Sequence, residues 1–357
     1  MEDEKPNQTW KNALLGFNCW EIITLTTNAM PLPADFSTVQ MPVAVVGLGL
    51  MGCSIATCLL AAGHSVVAVA PIPADMLTAE SRITQHLEEL FARDILPETV
   101  ESAKNRLIIT EEYAQLAPSF LVIECTIENL DIKRAVYAKI EAVVSATAAI
   151  GSNTSAIPIS ILQQGTQHPE RFLGLHWAEP AYTTRFLEVI CGDQTDLAVG
   201  TFLYNVAHHW GKEPTLVRKD IRGFITNRLS YALYREAFDL VEKGYATIED
   251  VDRACRNNQG FWMTLVGPFR WMDLTGVPAY LNVLKDLWPT LSNRSDVPNL
   301  IQEIVDRGGR GTANADGFYE YSPESAKEWE ATFARFSFEI RELALRYPAD
   351  VVKPIQK

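Results

Sequence analysis

The stretch PVAVVGLGLMGCSIATCLLAAGHSVVAVA, residues 42–70, decides how the rest of the chain is read. PVAVVG is a short apolar run ending in glycine, LMGCSIATCLLAAG has a helix-like apolar composition, and HSVVAVA is a second β-rich run. Strand, tight turn, helix, strand is a βαβ unit. In the turn, Gly47, Gly49 and Gly52 stand in G-x-G-x-x-G spacing. The first glycine permits a tight turn, the second lets backbone approach a pyrophosphate, and the third lets helix pack close to strand. The helix N-terminus then offers free N–H groups and a positive dipole end to phosphates. At the head of an α/β pattern this is a dinucleotide-binding turn; serving packing alone is the plainer alternative.

Further strand-like runs follow at LIIT (107–110), FLVIEC (120–125), AAIGSN (148–153), FLGLHW (172–177) and RFLEVI (185–190), with helical stretches between most of them. Residues 74–105 read as two helices broken at Pro97. Alternation of this kind predicts an α/β, Rossmann-type doubly wound sheet, mainly parallel and covered on both faces. After about residue 218 the strand signals stop. FITNRLSYALYREAFDLVEKG is a long amphipathic helix, TIEDVDRACRN opens with a Thr-x-x-Asp start, and EWEATFARFSFEIRELALRY is helical again. The predicted organisation is a poorly ordered extension over 1–40, a nucleotide-binding domain over 41–218 and an all-helical domain over 219–357.

The balance of 31 Lys and Arg against 44 Asp and Glu, net −13, argues against a nucleic-acid or anionic-membrane surface. No apolar run reaches the length of a membrane span. The six cysteines form no CxxC pair and no cluster with histidine at metal-ligand spacing, so reduced thiols and no metal site are expected. Residues 1–40 open acidic and lack a signal-peptide pattern, which makes the cytoplasm the expected location.

Two details raise chemistry. In GLHWAEPAYTTRFLEVI, residues 174–190, His176 and Glu188 each occupy a strand-like apolar setting. A histidine oriented by a carboxylate is a general base near neutral pH, although a core histidine satisfied by a carboxylate has the same spelling. At the end of the second strand, Ala70 and Pro71 stand where such folds place an acidic residue on the adenosine ribose. No arginine follows at once, so NADP is not indicated either.

Several stretches together resemble the 3-hydroxyacyl-CoA dehydrogenase family: VAVVGLGLMGCSIATCLLAAGHSVVAV, IECTIENLDIKRAVYAKIE, GSNTSAI, RFLGLHWAEP with FLEVI, KDIRGFITNRL, LVGPFRWMDLTG and GTANADGFYEY. They occur in one order between about residues 43 and 321. The resemblance implies NAD as cofactor, met by Gly47, Gly49 and Gly52 with Leu50 and Met51 between them. It places Glu128, Lys133 and Asn153 near the cofactor too. His176 would be the acid/base, Glu188 its orienting partner, and Ser155 and Asn227 hydrogen-bond donors to the reacting end of the substrate. A homodimer through the helical domain is also implied.

Where the family usually has asparagine, three residues after its histidine, this chain has Glu179. Pairing with Arg185, contact with a cationic substrate group, or a solvent-facing loop position each fit. Arg222, in DIRGF, suits a substrate carboxylate or a helix cap equally. Lys and Arg are sparse at 74–105, where the phosphates of coenzyme A would ask for them. The resemblance implies a 3-hydroxyacyl-CoA or 3-hydroxy acid as substrate, and the sparse basic residues make a small free hydroxy acid or hydroxy-amine the rival. A non-catalytic family member is the third reading. His208 and His209 read as surface residues, and Trp262, Phe269 and Trp271 as helix packing or a pocket lining.

Overall fold

A computed structural model describes residues 41–347, and the predicted extension over 1–40 lies outside them. The chain parts into two compact units between Ile225 and Thr226.

The first unit holds eight strands among its described residues: β1 (Val43–Val46), β2 (Val66–Val69), β3 (Leu107–Thr110), β4 (Leu121–Glu124), β5 (Ala149–Ser152), β6 (Phe172–Trp177), β7 (Leu187–Cys191) and β8 (Thr215–Val217). They form one sheet in the order β3-β2-β1-β4-β5-β6-β7-β8. All neighbours are parallel except β6 and β7, which are antiparallel. The physical reason lies in the link 178–186, which is shorter than the dozen or more residues a parallel crossover needs. Strand β8 was not legible in the sequence, because three residues carry no period.

Strands β1, β4, β5, β6 and β7 are buried at every position, as a sheet covered on both faces requires. Edge strand β3 is half-exposed. The helices are α1 (Leu50–Ala61), α2 (Pro73–Ala92), α3 (Val100–Lys104), α4 (Leu130–Glu141), α5 (Ile159–Leu162) and α6 (Leu197–His209). Local signals set their starts: Thr99 caps α3, Asn129 accepts from the N–H groups of Asp131 and Ile132 to start α4, and Asp196 caps α6. The break between α2 and α3 spans the predicted Pro97. One core cluster joins Val46, Val122, Ile150 and Ile190 from the sheet to Tyr137 of α4 and to Phe224. Burying each such side chain contributes about 1.5–3 kcal/mol.

One histidine read as a surface residue is drawn inward. His64 is fully buried, and His209, read as a surface residue, packs edge-on against it with ring centroids 5.4 Å apart.

The second unit is helical: α7 (Thr226–Glu242), α8 (Ile248–Asn257), α9 (Gln259–Met263), α10 (Pro268–Thr275), α11 (Val277–Leu287), α12 (Asn299–Asp306) and α13 (Pro323–Arg346). The Thr-x-x-Asp start holds, since Thr247 Oγ1 accepts the N–H of Asp250. Trp262 stacks flat on Trp271 at 5.3 Å, which favours the packing reading for those two rings, whereas Phe269 is exposed. Among the described residues no helix is long and apolar enough to cross a membrane.

Candidate active site

In an open α/β sheet, ligands bind beyond the C-terminal strand ends where the strand order reverses. Here that point lies between β1 and β4, and the glycine turn sits on it. Gly47 has φ +99°, and a Cβ there would lie 2.8 Å from the carbonyl carbon of Cys125 at the tip of β4. A Cβ on Gly52 would fall 1.7 Å from the carbonyl oxygen of Gly47. Gly49 differs: a Cβ there would point into open space. It is the N-cap of α1 and no side chain caps that helix. The turn therefore needs two glycines for its own packing and leaves the third open toward a helix N-terminus. Those are the features that a pyrophosphate occupies.

A buried polar network follows β4. Glu124 is fully buried and accepts from Lys133 Nζ through both oxygens, at 2.9 and 3.0 Å. The hydroxyls of Tyr137 and Ser152 each reach Glu124 Oε2 at 2.8 Å. Lys133 also donates to the Thr126 carbonyl at 3.2 Å and lies 3.5 Å from Glu128. Lys133, expected beside the cofactor, thus directs its ammonium to the interior of the fold. Glu128 holds the turn after β5: its Oε1 accepts from Thr154 Oγ1 at 2.5 Å and from the N–H groups of Ser155 and Ala156 at 3.0 and 3.1 Å. Burial opposes ionisation of Glu128, but these bonds and the Lys133 charge outweigh it and hold its carboxyl below the usual range. Ser155 is presented at the exposed crest of that turn. Asn153 ties the tips of β5 and β6, its Oδ1 accepting the N–H of Trp177 at 2.9 Å.

His176 and Glu188 are direct partners in the antiparallel β6–β7 register. Direct cross-strand partners share a face, so the two side chains meet: Nδ1 of His176 lies 2.8 Å from Glu188 Oε2. The other carboxylate oxygen accepts the N–H of Ile225 at 3.1 Å. That N–H is aimed by a turn in which Gly223 has φ +80° and Phe224 φ +51°. A fully buried phenylalanine in the left-handed region stores about 1–3 kcal/mol of backbone strain. Phe186 and Phe224 flank the imidazole, with centroids at 5.5 and 5.7 Å. No pattern in the sequence announces the Ile225 N–H; the Gly-Phe pair within DIRGF was its one trace.

The remaining residues fall as follows. Leu50 is exposed and Met51 half-buried in the first turn of α1. Glu179 is exposed, yet the partial desolvation of its carboxyl in the loop raises it above the ordinary range. Arg185, expected as its partner, pairs instead with Glu213 at 3.1 Å. Arg222 is exposed in the turn ahead of α7, and Asn227 is the second residue of that helix, in the second unit.

Comparison with known proteins accounts for both units. Residues 42–221 match the NAD-binding domain of 3-hydroxyacyl-CoA dehydrogenase and residues 223–321 match its C-terminal domain. The 5-formyl-3-hydroxy-2-methylpyridine 4-carboxylate 5-dehydrogenase of Mesorhizobium japonicum is 33% identical over 303 residues, covering 84% of this chain and 97% of that protein. A crystal structure of an enzyme of that activity, described as an NAD+-dependent dismutase, superposes with a TM-score of 0.80 at 32% identity, over 85% of this chain and 98% of the other. The human mitochondrial hydroxyacyl-coenzyme A dehydrogenase is 30% identical over 290 residues, covering 78% of this chain and 90% of its own. The glycine turn at the switch point and the match across both units lead to one conclusion: the chain belongs to the 3-hydroxyacyl-CoA dehydrogenase family and is an NAD-dependent oxidoreductase.

Proposed function

We propose that this protein is a dehydrogenase of a small carboxylate-bearing alcohol or aldehyde, with His176 as acid/base and Glu188 as the group that orients it. One observation carries the reading: the 2.8 Å contact between His176 Nδ1 and a fully buried Glu188. An ionised carboxylate only accepts, so the ring proton belongs on Nδ1 and Nε2 is the free base. In alcohol oxidation the hydroxyl proton moves to Nε2 of His176 as hydride leaves the adjacent carbon. NAD, when bound, supplies the acceptor for that hydride. Glu188 stabilises the imidazolium that forms, and the Ile225 N–H keeps the carboxylate in place. Ser155 and Asn227 are assigned to hydrogen-bond the substrate oxygen. Gly47, Gly49, Leu50, Met51 and Gly52 are assigned to the pyrophosphate, Glu128 to the turn bearing Ser155, and Glu179 and Arg222 to the substrate side.

The small-acid reading is supported by the Mesorhizobium relative, which matches along nearly its whole length and acts on a pyridine carboxylate. Other relatives act on acyl-CoA substrates, which keeps the thioester as the second reading. Initial rates of NADH oxidation with acetoacetyl-CoA and of NAD reduction with hydroxypyridine carboxylates separate the two. Turnover of the thioester alone overturns the small-acid reading; turnover of neither, with NADH bound, favours a non-catalytic member.

We also propose a homodimer through the helical unit. Phe261, Phe269 and Trp288 there are 75%, 80% and 64% exposed, an apolar surface a second copy would cover. Light scattering on the purified chain tests it, and a monomer at micromolar concentration overturns it.

A further inference from the structure

The acidic residue missing from the end of β2 has a substitute on the neighbouring strand. Strands β2 and β3 run parallel with Val69 opposite Thr110. The N–H of Ala70 continues the ladder to the Thr110 carbonyl at 2.9 Å, so Ala70 and Glu111 come next to each other where the strands end. Adjacent parallel strands lie about 4.8 Å apart, well within the reach of a glutamate side chain. Ala70, Pro71, Glu111, Tyr113 and Lys139 line one open cavity of about 480 Å³, a size typical of small-molecule clefts.

Three features give that cavity a ligand's chemistry. Glu111 is exposed and makes no hydrogen bond or ion pair among the described residues, leaving both carboxylate oxygens to accept. The Tyr113 ring forms a wall, with Lys139 Nζ 5.4 Å from its centroid. The Tyr113 hydroxyl is buried with no partner among the described residues, an unsatisfied group of the kind a ligand or bound water completes.

We propose that Glu111 holds the adenosine ribose hydroxyls of NAD, the carboxylate having moved from the end of β2 to the end of β3, and thereby selects NAD over NADP. A carboxylate accepts from two ribose hydroxyls but repels a 2′-phosphate. Ala70 leaves the space that an acidic side chain on β2 would fill. Lys139 opposes this selection, since an ammonium in the same cavity attracts a 2′-phosphate. The sign of the selectivity therefore reports which of the two faces the ribose. The inference rests on the assignment of NAD to the family, and it goes further by naming the residue that recognises the nucleotide.

The test is a fluorescence titration of the full chain with NADH and with NADPH, for wild type, E111Q and the double variant A70D/E111Q, with thermal melts alongside. E111Q is expected to weaken NADH by roughly tenfold, the loss of one charge-assisted pair of bonds, to narrow the preference over NADPH, and to melt as wild type. The double variant, with a carboxylate restored on β2, is expected to recover most of the NADH affinity. Unchanged NADH affinity in E111Q, or wild-type protein that binds NADPH as tightly as NADH, overturns the proposal while leaving the cofactor assignment standing. Wild-type protein that binds neither overturns both.

Discussion

His176 on β6 and Glu188 on β7 stand directly opposite each other in the antiparallel ladder, and the backbone N–H of Ile225 closes on the far oxygen of the carboxylate. The carboxylate is thus fixed at both ends, by a ring on one side and a strained turn on the other. This arrangement holds the imidazole in one tautomer without any further side chain.

If that pair does the chemistry, His176→Ala lowers kcat on the order of 10²–10⁴-fold while NADH affinity stays as in wild type. Glu188→Gln keeps the shape but lets the amide donate toward the ring, favouring the wrong tautomer, and a loss of similar order is expected. Stopped-flow turnover and NADH titration measure both. An unchanged kcat in Glu188→Gln removes its orienting role.

The three glycines of the turn should respond differently. Gly49→Ala places its methyl in open space, so the melt is unchanged and NADH affinity falls. Gly47→Ala adds strain at φ +99° and meets the Cys125 carbonyl, a cost of about 1–3 kcal/mol. Gly52→Ala has no room beside the Gly47 carbonyl oxygen and destabilises by more than about 4 kcal/mol. Circular-dichroism melts read all three, and a destabilised Gly49→Ala would contradict the open cradle.

The Glu124–Lys133 pair is enclosed, with side-chain exposures of 0% and 1%. Lys133→Met leaves a buried carboxylate uncompensated and costs about 3–5 kcal/mol. Adding Glu124→Gln to it recovers part of that loss. Urea denaturation of the single and double variants gives the coupling, and additivity of the two would show the pair to be energetically idle.

Acid sensitivity follows from His64. Burial lowers its pKa from 6.5 to about 4. Its Nδ1 faces the Met41 carbonyl at 3.2 Å and its Nε2 accepts from Trp210 Nε1 at 2.9 Å, so a second proton has no acceptor. Between pH 6.5 and 4 the unfolded chain binds the proton that the folded chain refuses. Stability from this group is complete above about pH 6.5 and is lost as pH falls toward 4, on the order of 3 kcal/mol in all. His86, lowered to about 4 chiefly by burial, adds to the same limb. His64→Gln should flatten the acid limb of Tm against pH; an identical limb would assign the effect elsewhere.

The glycine spacing, the apolar strand runs and the capping residue Thr247 act within a few residues of themselves. That is why the doubly wound sheet, the helical second unit and the nucleotide turn were legible along the chain. Local patterns hold no distance between residues far apart in sequence. Partner choice at Arg185, the inward turn of the Lys133 ammonium and the placement of His209 against His64 all come from packing across elements. So does the seating of Glu111 beside Ala70, which depends on the register of two strands some forty residues apart. His176 and Glu188 were identifiable as residue types. What joins them is the reversal of β7 after a link too short to cross over, together with a left-handed turn at Phe224 that brings the Ile225 N–H to the carboxylate.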